Sequence, residues 1–126
     1  MLKGLGNPRN TGESEKKVER HLRDKMKSIG GKADKWECPS SVGKPDRVCE
    51  FPHGLVVFAE LKSEGKKPSS PQQREHQRMR DRGQAVVVLD TTNKVNEFIS
   101  TYREIDREIN VQKCVEESLV RSGHKG

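Results

Sequence analysis

Asp46-Arg-Val-Cys-Glu-Phe-Pro-His-Gly-Leu-Val-Val-Phe-Ala-Glu-Leu-Lys62 is the stretch around which the rest of the chain organises. Apolar and β-branched residues lie on both sides of the turn residues Pro52-His53-Gly54, so residues 46–51 and 55–62 are predicted to pair as an antiparallel hairpin. Alternate side chains of a strand share a face, which puts Glu60 and Lys62 on one side and Leu61 on the other, toward the core. Asp46 opens the first strand directly after Pro45, a residue that belongs at a strand start.

A carboxylate and an ammonium at the end of an otherwise hydrophobic strand have two readings. They form an ordinary salt bridge at the surface, or the strand emerges there at a site. Asp46 favours the second, because the hairpin lets it converge with Glu60. Two carboxylates from neighbouring strands, together with the backbone carbonyl of Leu61, make a hard oxygen site suited to Mg²⁺ or Mn²⁺. A metal held there would polarise a phosphodiester and activate water, with Lys62 positioning that water or balancing developing charge.

Outward from the hairpin, Val18, Leu22, Met26 and Ile29 recur at helical spacing, which predicts a helix over 15–29 with Ser14 as N-cap and Gly30-Gly31 as its stop. A third strand is expected at 33–38. After a polar loop at 63–69, Ser70-Pro71-Gln72-Gln73 reads as a helix start, with Ser70 as N-cap and Gln73 as its capping-box partner; the helix ends before Gly83. Residues 84–90 have the composition of a fully buried strand. A helix over 93–109 carries Val95, Phe98, Ile99, Tyr102 and Ile105 on one face, and a short helix follows at 111–120. The predicted architecture is α/β, a mixed four-stranded sheet flanked by helices in the order αβββαβ plus C-terminal helices. It divides into a flexible arm (1–13), a core (14–91), C-terminal helices that pack on the core or form a dimer contact (92–121) and a loose tail (122–126).

Charged residues make up 35% of the 126 residues and apolar residues only 29%, so order rests on the two dense apolar runs at 55–59 and 85–89. A net charge of +6 fits a nucleic-acid partner, and a single Trp and a single Tyr argue against recognition by base stacking. Lys66, Lys67, Arg74, Arg78, Arg80 and Arg82 concentrate positive charge after the second hairpin strand, as a phosphate-tracking surface would. Cys38, Cys49 and Cys114 are odd in number and read as free thiols in a reducing compartment, and the four histidines are assigned surface or turn roles. With no signal-peptide pattern or membrane-length apolar run, an intracellular, cytoplasmic protein with no membrane partner and no organic cofactor is expected.

Pro45-Asp46, thirteen residues, then Glu60-Leu61-Lys62 resembles the PD-(D/E)XK nuclease signature. The wider stretch, with Gly43-Lys-Pro-Asp-Arg47, Val56-Val-Phe-Ala-Glu-Leu-Lys62, a basic loop and Ser70-Pro-Gln-Gln73, is similar to the VRR-NUC family of virus-type replication-repair nucleases over residues 14–91. The resemblance implies a restriction-endonuclease-like core and metal-dependent, structure-selective cutting of DNA. Stand-alone members resemble homodimeric Holliday-junction resolvases, which implies branched duplex as substrate and a homodimer.

The family pattern also implies a glutamate on the first helix, for which Glu15 and Glu19 are candidates. Glu15 projects about 25° from the mean direction of the apolar stripe and Glu19 about 65°, which favours Glu15, although a first-turn glutamate also suits the helix dipole. Gln73 matches the family's glutamine, which reaches toward the metal or the DNA backbone; closing a capping box is its other reading. The expected site is therefore Glu15, Asp46, Glu60, Lys62 and Gln73, with Leu61 among the metal ligands and Lys44, Arg47, Lys66, Lys67, Arg74 and Arg78 on DNA. A flap-, end- or sequence-specific nuclease and a non-cleaving DNA-binding module are the alternatives.

Overall fold

The structure, a computed structural model, describes residues 12–121; most of the expected N-terminal arm and the whole of the expected tail lie outside the described residues. Among the described residues the chain forms four helices and four strands, with no helix long and apolar enough to cross a membrane. Helix α1 (Glu15–Ser28) starts where Ser14 accepts a hydrogen bond from the Lys17 amide, and buries Val18, Leu22 and Met26 completely. It stops in a Schellman arrangement: Gly31 N–H donates to Met26 O at 2.8 Å and Gly30 N–H to Lys27 O at 3.1 Å. Gly30 takes φ 85°, a conformation that costs a residue with a Cβ.

The strands β1 (Lys32–Lys35), β2 (Arg47–Glu50), β3 (Val56–Leu61) and β4 (Ala85–Leu89) lie in the order β1-β2-β3-β4. The first three are antiparallel, and β4 is parallel to β3. The parallel step needs a crossover, supplied by α2 (Ser70–Asp81). The predicted mixed sheet and hairpin are thus present, with Cys49 of β2 opposite Ala33 of β1. β4 is not fully buried as its composition suggested. It is an edge strand, and Ala85, Val87 and Val88 are half-buried.

Val57, Ala59, Leu61 and Leu89 face a core closed by α1 and α3 (Thr92–Arg107). Val95, Phe98 and Ile99 of α3 belong to that core, whereas Ile105 on the same predicted face is exposed. Asp106, fully buried near the end of α3, accepts hydrogen bonds from the amides of His53 and Leu55 and so ties the hairpin turn to the helix layer. Helix α4 (Val111–Arg121) lies outside the core and leaves Val111, Val115, Leu119 and Val120 exposed.

Candidate active site

The hairpin register places Arg47 opposite Ala59, so one step further along Asp46 stands opposite Glu60. The Asp46 carboxylate is held there by the Leu61 amide, which donates to Oδ2 at 3.0 Å. The approach to Asp46 is itself constrained. Pro45 is buried, and Gly43 adopts φ 88° against α2, where an added Cβ would lie 2.7 Å from Pro71 O.

Glu60 is only 1% exposed, yet it lies at the end of β3 where that strand leaves the sheet. Its Oε2 receives a hydrogen bond from Gln72 Nε2 at 3.1 Å and faces Lys62 Nζ at 3.2 Å. Oε1 has no hydrogen-bond partner, and His76 Nε2, which stands 3.6 Å away, is likewise without one. Burial and the adjacent Asp46 carboxylate push the Glu60 pKa up to about 7, against the opposing pull of Lys62. Burial, with Arg80 nearby, holds the His76 imidazole below its usual value.

Asp46, Glu60 and Lys62 therefore stand together at the end of the hairpin, and Leu61 meets them through its amide rather than through the carbonyl expected to ligate a metal. Glu15 does not join them: it is exposed in the first turn of α1. Its angular direction lies near the apolar stripe, but it sits almost a turn before the buried Val18, at the solvent-exposed start of the helix. Glu19 lies closer to the sheet but is engaged in an ion pair with Arg47. Gln73 is exposed and donates to Pro68 O at 2.8 Å; the residue on Glu60 is Gln72. Ser69, not Ser70, is the N-cap, which moves the reciprocal partner from Gln73 to Gln72. Gln72 carries both expected roles at once, since its Oε1 accepts from the Ser69 amide at 2.8 Å while its Nε2 donates to Glu60.

The basic residues divide. Arg47 is buried, donating to Ala33 O and paired with Glu19, and Lys44 is 2.7 Å from buried Glu75 and stacked over Trp36. Both are committed to structure, which corrects their assignment to DNA. Lys66, Lys67 and Arg74 are exposed, as is Arg78, which pairs with Glu75 at 2.9 Å. Lys67 and Arg80 line an open cleft of about 440 Å³ with His76 in its wall.

His76 is the residue that sequence reasoning placed wrongly, at the surface. A usable signal was present: Met79 is the sole apolar residue of α2, so a helix packed on a sheet has to bury polar side chains. Glu75, His76 and Met79 are the buried ones, with Gln72 one turn before them at helical spacing.

Among the described residues no three His, Cys, Asp or Glu side chains cluster as metal ligands. The donor set fits Mg²⁺ nonetheless, because that ion is commonly bound through one or two carboxylates and keeps several waters. A cation would also relieve the repulsion between the Asp46 and Glu60 carboxylates that raises the Glu60 pKa.

No family model matches the sequence. The chain is 42% identical over 77 residues to "Putative nuclease p44" of Acyrthosiphon pisum secondary endosymbiont phage 1, a match covering 61% of this chain and 83% of the phage protein. A solved structure described as a VRR_NUC domain superposes with a TM-score of 0.66 and 32% identity, covering 71% of this chain and 98% of that domain. The hairpin that carries Asp46, Glu60 and Lys62, closed by a parallel fourth strand, is thus the core of a known domain, and the chain belongs to the VRR-NUC family of nuclease domains.

Proposed function

We propose that the protein is a metal-dependent DNA endonuclease that cuts branched duplex, four-way junctions in the first place. The observation that carries this reading is the convergence of Asp46 and the buried Glu60 at the end of one hairpin, with Lys62 against Glu60. Asp46 and Glu60 would hold Mg²⁺ or Mn²⁺, which when bound lowers the pKa of water and polarises the phosphodiester. The Leu61 amide keeps Asp46 aimed at the site, and Gln72 keeps Glu60 aimed there. Lys62, 20% exposed at the rim, can reach both Glu60 and an incoming phosphate, so its ammonium orients the nucleophile and offsets charge developing on the phosphoryl oxygens. The exposed Lys66, Lys67 and Arg74 on the loop and helix beyond β3 supply backbone contacts that position DNA without reading its sequence.

A four-way junction requires two coordinated cuts, which a two-fold dimer delivers by symmetry. Val111, Val115 and Leu119 repeat at one-turn spacing along exposed α4, an apolar stripe of the kind a second copy would cover. Incubation with labelled four-way junctions, flaps and linear duplex in Mg²⁺ or Mn²⁺ tests the substrate. Junction cleavage by paired symmetric nicks is expected. Preference for flaps or ends transfers the site to those substrates, and binding without cleavage of any substrate overturns the catalytic reading. Light scattering at micromolar concentration tests the dimer, and a strict monomer contradicts paired cutting.

A further inference from the structure

Glu60 Oε1 and His76 Nε2 are buried polar atoms without hydrogen-bond partners, and they face each other at 3.6 Å. Either alone would be a cost, since a buried polar group left unsatisfied forfeits its hydration with no return. Together they describe one hydrogen bond left slightly too long, which a shift of a few tenths of an ångström closes. His76 and Gln72 stand four residues apart on α2 and reach the two different oxygens of the same carboxylate. The helix therefore grips Glu60 at both ends, while Lys62 takes the outer side of Oε2.

Packing does not explain this arrangement. His76 is 1% exposed on a helix whose other apolar burial is Met79, and a leucine would fill such a position without a desolvated nitrogen. At 1% exposure, although it borders the cleft beside Lys67 and Arg80, His76 has little surface with which to touch a substrate. What it can do is set the plane of the carboxylate. With Oε2 held by Gln72 and Oε1 by His76, the side chain loses its torsional freedom and remains turned toward Asp46 when a cation is absent.

We propose that His76 is a positioning residue of this site, an outer partner that donates Nε2–H to Glu60 Oε1 and so pre-orients Glu60 for a divalent cation. The inference rests on the metal-dependent reading above. Removing outer partners of ligating side chains costs about 10- to 100-fold in metal affinity in well-characterised sites.

The test is Mn²⁺ binding to the full chain, read from the electron paramagnetic resonance of the free ion, alongside thermal unfolding and the Mn²⁺ dependence of cleavage. His76→Leu keeps the volume and removes the donor; His76→Gln keeps a donor near the position of Nε2. Mn²⁺ affinity is expected to fall about tenfold or more in His76→Leu and to stay within about threefold of wild type in His76→Gln. Cleavage by His76→Leu should then need more Mn²⁺ for half-maximal rate and approach the wild-type rate at saturation. Wild-type affinity in His76→Leu overturns the inference. So does an equal loss in folded His76→Leu and His76→Gln, or, if His76→Leu does not fold, a loss in His76→Gln matching that of Glu60→Gln. Wild-type protein that binds no Mn²⁺ overturns the metal reading itself, and this inference with it.

Discussion

Asp106 and Glu60 are both carboxylates removed from solvent, 0% and 1% exposed, and they are treated in opposite ways. Asp106 sits under the hairpin turn and takes the amide hydrogens of His53 and Leu55. Its charge is spent on holding two layers together. Glu60, at the other end of the same hairpin, is placed beside a second carboxylate, retains a bare oxygen and is pushed up to about 7. A buried acid fully wrapped in donors is structure, whereas a buried acid set against a like charge stores a demand that only a proton or a cation meets. The contrast marks the Glu60 end of the hairpin as the one whose charge the fold leaves unsatisfied.

The comparison breaks most visibly in catalysis. Glu60→Ala should lower DNA cleavage by about 10²- to 10³-fold, while Asp106→Asn, assayed below its unfolding temperature, should cleave within about twofold of wild type. Quantified single-turnover gels separate the two; a comparable loss in both would erase the distinction.

The pH dependence of the metal-free fold comes next. Because the folded-state pKa of Glu60 is raised, the native protein keeps a proton that the unfolded chain has released between pH 4.5 and about 7. The stabilisation from that proton is fully present below pH 4.5 and is lost as pH rises through 7. Urea unfolding in a chelator should lose up to about 3 kcal/mol across this window, with no such loss in Glu60→Gln, and added Mg²⁺ should restore stability at the alkaline end. A Glu60→Gln protein with the same pH slope as wild type would show that another group titrates.

Asp106→Asn should cost about 2 to 3 kcal/mol in the same unfolding experiment, because two backbone amides lose a charged acceptor. The smallest effect distinguishes neighbours. Gln72→Ala should cost about 1 kcal/mol through its cap and its bond to Glu60, and Gln73→Ala no more than about 0.5 kcal/mol. The reverse ranking would return the helix start to Ser70.

Much of this was legible in the chain because it depends on periodicity. The hairpin, α1 with its Ser14 cap and Gly30 stop, and the pairing of Glu60 with Lys62 follow from alternation and turn residues, which are local. The start of α2 differs from the expected one by a residue because Ser69 and Ser70 are equally good caps by type, and tertiary contact with Glu60 decides between them. Direction around the helix axis favours Glu15, but it says nothing about height along that axis. Arg47 looked like a DNA contact because its partner Glu19 is 28 residues away. His76 was invisible to apolar patterning because the face of α2 that covers the site is polar.

Single-turnover cleavage of labelled branched and linear duplex by wild type and Asp46→Ala, with gel-shift binding of the same DNA in parallel, tests the central claim most directly. Wild type is expected to cut in Mg²⁺ and to stop in a chelator, and Asp46→Ala to bind the DNA as wild type does without cutting it. Cleavage by Asp46→Ala at the wild-type rate, or wild-type cleavage that persists in the chelator, would contradict an active site built on Asp46 and Glu60.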